Sequence, residues 1–374
     1  MALVELGSIL HFEKGKKPIS QSDSPADGFL PYVDIEAFET GKIKQYTDGT
    51  KCTPCDDGDI LIVCDGSRSG LVGRAVKGYV GSTLAKISAD CLSDQYLFHF
   101  VQGKYALLNT KKKGTGTPHL NQELLKQQKL IVPSYSEQER IVSRIEELFS
   151  QLDAGVETLK KTKAQLAVYR QAVLKEAFEK VSARVLLGSI SESRLGKMLD
   201  SEKNIGVPRR YLRNINVRWH SFDLSDLSEM PIEENEVDKY SLRKGDLVIC
   251  EGGEPGRCAV WESDDVIFYQ KALHRVRFTD SSNPKFYMYY LWYAAQTGQL
   301  KSLFTGTGIK HLTGQSLVKV LVPTAERITQ DSIVNEIETH LSVCDSIEQT
   351  VDAALQQAEA MRQSILKNAF EGRL

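Results

Sequence analysis

Two hydrophobic patterns alternate along the 374 residues. In residues 1–135, and again in 181–325, apolar positions come as short runs such as 60–64 and 247–250. These runs are bounded by Gly-Asp and Gly-Gly pairs in a background of Gly, Pro, Thr and aromatic residues. Runs of this length between turn signals predict short buried strands with some helix, a mixed α/β globule in each segment. In residues 136–180, and again over about 329–371, Pro is missing and helix formers dominate, so each segment predicts one long helix. Pro133 ends the strand ahead of the first helix, and Ser136 with Glu139 has the spacing of a capping box.

Within the first helical segment a heptad spacing links Ile145, Phe149, Leu152, Val156, Leu159, Lys163, Leu166, Arg170, Val173 and Ala177. An offset of 192 carries these onto Ile337, Leu341, Cys344, Glu348, Val351, Leu355, Ala358, Arg362, Ile365 and Ala369. Two helices that keep one seam in one phase, each ~60 Å long at ~1.5 Å per residue, are too long for the surface of a small domain and are expected to pack on each other. A globule separates the end of the first from the start of the second. Equal repeats about a pseudo-twofold axis then make the pair antiparallel and hold the globules apart. The polar seam positions Lys163, Arg170, Glu348 and Arg362 weaken a purely apolar zipper and point to a specified register or a partner. A plain dimerisation coiled coil is the alternative.

The duplication extends beyond the helices. Leu6-Gly7-Ser8-Ile9 returns as Leu187-Gly188-Ser189-Ile190, and Gly58-Asp59-Ile60-Leu61 as Gly245-Asp246-Leu247-Val248. Gly114-Thr115-Gly116 with His119-Leu120 matches Gly306-Thr307-Gly308 with His311-Leu312, Val132-Pro133 matches Val322-Pro323, and Ala177-Phe178-Glu179 matches Ala369-Phe370-Glu371. The organisation expected is α+β: domain 1–135, long helix 136–180, domain 181–325 and C-terminal long helix 326–374, the two helices joining and separating two related domains.

Composition adds limits. A 41% hydrophobic, 26% charged chain belongs to the soluble globular class, and no apolar run approaches the ~18 residues of a membrane span. The N-terminus carries Glu5 and no basic start, unlike a secretory signal, so a cytoplasmic protein is expected. Seven cysteines, an odd number, argue for a reducing compartment. Cys52 and Cys55 form one CxxC without a second pair at finger-like spacing, which reads as a turn around Pro54; Cys64 and Cys91 completing a zinc site is the alternative. The net charge of −2 resolves into +1 for 1–135, 0 for 136–180, +2 for 181–325 and −5 for 326–374. Bases cluster in the two mildly positive segments: Lys14, Lys16 and Lys17; Lys111, Lys112 and Lys113; Arg209, Arg210 and Arg213. Such clusters suit phosphates, and they suit solvated loops almost as well.

Catalytic signatures are weak. Asn283-Pro284-Lys285-Phe286 approaches the passage that holds a flipped adenine, but Lys285 breaks it and no cofactor loop precedes it, so it reads as a turn starting a helix. Asp59 with Asp65, or Asp246 with Glu251, offers carboxylate pairs for Mg²⁺ without a Lys at a recognisable spacing; Asp59 and Asp246 read as turn residues capping strands. Ser67-Arg68-Ser69-Gly70 and Gly252-Gly253-Glu254-Pro255-Gly256-Arg257 stand at equivalent places and read either as phosphate cradles or as tight turns.

The residues from Gly114 through Asn121, then Val132-Pro133, then Ser136 to Val142 opening a helix that closes in Ala177-Phe178-Glu179, resemble the specificity subunits of type I restriction-modification systems over nearly the whole chain. The second half departs: Gln330, Ile333 and Val334 persist, but Thr329 and Ser332 stand in the places of Glu137 and Arg140, and Lys310 and Thr313 in those of Pro118 and Asn121. A short lead-in before the first domain, common in such proteins, is expected to be missing or trimmed. The resemblance implies that each globule is a target recognition domain for one half of a bipartite double-stranded DNA sequence, with the helices setting the spacer and docking two methyltransferase subunits. It implies a chain without catalysis of its own. S-adenosylmethionine would sit on those partners, and ATP with Mg²⁺ on separate restriction subunits. A self-contained DNA-modifying methyltransferase and a coiled-coil scaffold without nucleic acid are the competing readings.

Sequence is read by side chains at base edges, while Lys, Arg, Ser and Thr on phosphates fix register. The phosphate candidates are Lys111, Lys112, Lys113 and Thr115, with Lys301, Thr305, Thr307 and Lys310 in the second domain. For base readout the candidates are Lys16, Lys17 and Arg68, with Arg209, Arg210, Arg213, Asn214 and Arg257. His119 and His311 agree between the repeats and are assigned structural roles, since domains reading different half-sites should diverge where they read.

Overall fold

The computed structural model describes residues 2–114, 118–200 and 204–374. It divides into two compact units, residues 1–160 with 352–374, and residues 161–351. The units cut across the segments read from the sequence, because each contains one globule together with parts of both long helices.

In the first unit an antiparallel sheet has the strand order Leu10–Lys14, Leu84–Ala89, Ile60–Val63, Val72–Arg74. All four residues of Ile60–Val63 are buried because the strand has protein on both faces. Ile60 and Ile62 pack with Tyr96, Leu97 and Phe100 of the helix Asp94–Gly103, whereas Leu61 and Val63 join Val33, Cys55 and Val80. A strand sandwiched in this way reads as an unbroken apolar run instead of an alternation. The second face is covered by strands in the order Tyr46–Thr47, Leu30–Val33, Gly78–Val80, Pro54–Cys55, the middle two parallel. Ala2–Glu5 pairs antiparallel with Lys129–Val132.

In the second unit the sheet order is Ser191–Leu195, Leu273–Phe278, Leu247–Cys250, Cys258–Val260. Leu247 and Ile249 face the core that holds Phe286 and Tyr287 of the helix Pro284–Gln296, while Val248 and Cys250 face Leu212, Trp261 and Tyr269. A three-stranded sheet, Ser228–Ile232, Val207–Leu212, Phe268–Tyr269, again contains one parallel pair. Arg184–Leu186 pairs with Leu321–Pro323.

The long helices span Tyr135–Glu179 and Arg327–Phe370. Every seam position named above is buried or half-buried. In the first unit Ile145 and Phe149 share a core with Leu366 and Ala369; in the second, Val173, Leu174 and Ala177 share one with Ile333, Ile337 and Leu341. Within the second unit Lys163 pairs with Glu348, Arg170 with Asp345 and Lys180 with Glu336, so rising numbers on one helix meet falling numbers on the other. The helices are antiparallel there, and their polar seam positions Lys163, Arg170 and Glu348 form ion pairs.

The helix start differs from the expected capping box. The helix begins at Tyr135, Ser136 lies in its first turn with its hydroxyl 3.2 Å from that of Ser134, and the closing side chain is Gln138. Fully buried, Gln138 accepts from the Ser93 amide (2.7 Å) and donates to the carbonyls of Cys91 (2.8 Å) and Pro133 (3.1 Å). Gln330 does the same work in the second unit, accepting from the Asn283 amide (2.7 Å) and donating to the Ala325 carbonyl (2.9 Å). The helix ends are held by aromatic slots. Phe178 packs edge-on against Phe286 and Tyr290, and Phe370 edge-on against Tyr96 and Phe100.

Candidate nucleic-acid interface

In the first unit the turn after strand Ile60–Val63 and the loop running on from residue 111 are fastened together. The Leu120 amide donates to the Cys64 carbonyl (2.7 Å) and the Gly66 amide to the Pro118 carbonyl (2.8 Å). Asn109 Nδ2 and Lys112 Nζ both donate to the Ser67 carbonyl, at 2.8 and 2.9 Å. Gly66 and Gly70 turn the chain with φ of 107° and 95°, values that side chains disfavour. The amides of Gly66, Ser69 and Gly70 are used inside the protein, so three of this turn's donors are closed to a phosphate.

The cationic candidates of this unit separate by partner. Lys111 is exposed, Lys112 holds the turn, and Lys113 forms a 2.7 Å pair with Glu123. Arg68, exposed at the turn's tip, pairs with Glu39. Lys16 and Lys17 are exposed just beyond strand Leu10–Lys14. Thr115 lies outside the described residues. Three side chains outside the expected set join the cluster: Asp65 accepts from Lys14 (3.1 Å) and bonds His119 Nδ1 (2.6 Å), which fixes strand, turn and loop together. Asp65 is visible in the sequence only as a candidate metal carboxylate, because its partners are 51 and 54 residues away.

In the second unit the same two segments meet, the Leu312 amide donating to the Glu251 carbonyl at 2.7 Å. Arg213, Asn214 and Arg257 come together here. Asn214 Nδ2 donates to the Gly252 carbonyl (2.8 Å), and Arg257 donates to the Asn214 carbonyl (3.0 Å) and pairs with Glu254 (3.0 Å). Arg213 is drawn to Asp226 at 2.7 Å. Asn214 and Arg257 brace the turn 251–257, to which Glu254, itself accepting from Trp219 Nε1 (2.7 Å), also contributes. Arg209 and Arg210 alternate across strand Val207–Leu212: Arg209 is half-buried over the Phe268 ring and pairs with Glu234, whereas Arg210 is exposed. Lys301, Thr305, Thr307 and Lys310 are all exposed on one segment, with Lys310 Nζ donating to the Gly306 carbonyl (2.8 Å).

The carboxylates read as turn residues have that geometry. Asp59 accepts from the Asp56 amide (2.9 Å) and Asp246 from the Arg243 amide (2.7 Å); buried Asp246 is also clamped by Arg277 at 2.7 and 2.6 Å. Asn283 caps the helix Pro284–Gln296 through the Lys285 amide. Burial pushes the Cys55 thiol up to about 11 and the Cys64 thiol up to about 12. Among the described residues no three His, Cys, Asp or Glu side chains are grouped to hold a metal ion, and no helix is long and apolar enough to cross a membrane.

Two strand-and-helix units tied to paired long helices, with basic loops gathered on each unit, define a class that comparison makes specific. Residues 1–167 match the type I restriction modification DNA specificity domain. The chain is 23% identical over 400 residues to the type I restriction enzyme MjaVIII specificity subunit of Methanocaldococcus jannaschii, covering 100% of this chain and 92% of that one. It superposes on a solved chain of a type I R-M system with a TM-score of 0.79 at 18% identity (100% and 98% covered), and on the HsdS subunit from Thermoanaerobacter tengcongensis with 0.58 at 19% (100% and 97%). Over its full length the chain is thus similar to type I restriction-modification specificity subunits, and its first 167 residues match their DNA specificity domain.

Proposed function

We propose that each unit reads one half of a bipartite double-stranded DNA target, that the paired helices set the unspecified spacer, and that they dock two methyltransferase subunits. The observation that carries this reading is the repeated fastening of one turn to one loop, Leu120 to Cys64 and Leu312 to Glu251, which holds basic side chains in the same topological place in both units. The matching sheet orders and the paired glutamines Gln138 and Gln330 support treating the units as a pseudo-twofold repeat, domains 1–135 and 181–325 joined by helices 136–180 and 326–374. The half-exposed seam residues Leu152, Val156 and Leu159 line, with Ala354 and Met361, an apolar cavity of about 420 Å³ in the first unit, a surface suited to a methyltransferase helix. Chemistry belongs to the partners: S-adenosylmethionine on the methyltransferases, ATP and Mg²⁺ on restriction subunits.

In this reading Lys111, Lys112, Lys113, Thr115, Lys301, Thr305, Thr307 and Lys310 meet phosphates, Lys16, Lys17, Arg68, Arg209 and Arg210 approach bases, and Arg213, Asn214 and Arg257 shape the loop that does so. Mapping N6-methyladenine in a genome expressing this chain with its methyltransferase partner tests the proposal. A two-part motif with a fixed gap is expected; methylation without sequence preference, or at a single undivided site, sinks it.

A further inference from the structure

We infer that Ile309 is a base-reading residue of the second unit, its side chain seated against the C5 methyl group of a thymine in the major groove; the inference rests on the DNA-reading function proposed above. Ile309 is 71% exposed. It stands on a loop closed by reciprocal amide bonds between Thr305 and His311, each 2.9 Å. Within the loop Gly306 has φ 96° and a Cβ on it would lie 2.3 Å from the Ile309 carbonyl oxygen, so glycine is required there, and Lys310 Nζ is bound to the Gly306 carbonyl. The bond from Leu312 to Glu251 anchors the loop's foot to the turn 251–257. A β-branched side chain is thus displayed in water on a loop tied at its two ends, while Leu300 and Leu312 of the same segment are buried.

The repeat says why that position matters. Gly114-Thr115-Gly116 and His119-Leu120 recur as Gly306-Thr307-Gly308 and His311-Leu312, but Thr117-Pro118 becomes Ile309-Lys310. The frame is kept and its tip differs, as expected of two units presenting different side chains to different half-sites. In the major groove, wide enough at ~12 Å for a two-stranded loop, thymine alone among the bases offers a methyl group, and apolar side chains recognise it. Lys310, next in the chain, supplies a cation for the neighbouring phosphate.

The test uses the specificity chain in complex with its methyltransferase partner and duplexes of the mapped target in which each thymine in turn is replaced by deoxyuridine, removing only the methyl. One replacement, confined to one half-site, is expected to weaken binding about fourfold, the value of one buried methyl-sized group. Ile309→Ala should bind the parent duplex about fourfold more weakly and be indifferent to that same replacement. Its thermal melt should be unchanged, because the side chain it shortens is exposed. Wild-type binding that ignores every replacement, a target without thymine, or an Ile309→Ala complex that keeps the deoxyuridine penalty overturns the inference and leaves bipartite reading standing. Binding that ignores the sequence of both half-sites removes the underlying function instead.

Discussion

Arg170 Nη2 lies 2.6 Å from Asp345 Oδ1, and 192 positions away from each partner the pair returns as Arg362 bound to Asp153. Both arginines sit on the seam and both acids beside it, so each unit ties its two helix segments with the same ion pair. Arg170 is only 17% exposed and also reaches Glu348 at 2.8 Å, while Arg362 covers the Phe149 ring at 4.3 Å. Apolar seams are permissive about register; a guanidinium that must find its carboxylates is not.

Replacing Arg170 by Met should therefore cost about 1–2 kcal/mol, and Asp345 by Asn less, because Asp345 is 64% exposed and screened by water. A double-mutant cycle followed by urea unfolding should show positive coupling between the two. Additive effects would mean that the pair forms without fixing anything.

Gln138→Leu should be more damaging than either, by about 2–4 kcal/mol, since it leaves the buried Pro133 carbonyl and the partly buried Ser93 amide and Cys91 carbonyl without their partner. Gln138→Glu, which keeps the acceptor and loses the donor, should fall between leucine and wild type in a urea midpoint series. A leucine variant as stable as the parent would show that water satisfies these groups.

The contrast between these sites explains what the sequence discloses. The helices, their shared phase and the buried strands are legible because period and run length are local properties. The role of Gln138 is not, because its partners Ser93 and Cys91 lie 45 and 47 residues away, and the nearer Ser136 imitates a cap. The same limit applies at the interface. Arg213, Asn214 and Arg257 look like free recognition side chains until the fold brings Asp226, Gly252 and Glu254 beside them. Lysines 111–113 look alike in sequence, yet one is exposed, one braces a carbonyl and one faces Glu123.

A pH effect follows from His220. Burial holds its imidazole down at about 4, with nearby Asp345 opposing in smaller part, and its ring is wedged against Trp292 at 4.2 Å. Between about 4 and the unfolded value of 6.5 the unfolded chain binds the extra proton, so stability is full above 6.5 and is lost as pH falls through that window, by about 3 kcal/mol in all. His220→Phe, which keeps a ring, should lose less stability than wild type between pH 7 and pH 4.5 in urea melts. Parallel losses would place the acid sensitivity elsewhere.

Neutralising Lys111, Lys112 and Lys113 together should weaken binding of the assembled complex to every duplex, cognate and random, lowering the slope of log K against log salt by ~0.9 per phosphate contact removed. Lys111→Ala alone should account for a full step, while Lys112→Ala should also loosen the turn at Ser67 and so affect cognate more than random DNA. An unchanged salt slope in the triple variant would take the run out of the footprint.

The helices should act as a ruler. One added heptad in each, placed in register near Gly155 and its counterpart on the other helix, lengthens the pair by ~10 Å. At ~3.4 Å per base pair that is about three more base pairs of spacer. Because the loops proposed to meet DNA are fastened within each unit, by Leu120 to Cys64 and by Leu312 to Glu251, the insertion leaves them untouched. Methylome mapping should then show both half-sites with the same bases and a longer gap. A changed half-site would mean that the helices take part in reading bases; an unchanged gap would mean that something other than the helices sets the distance.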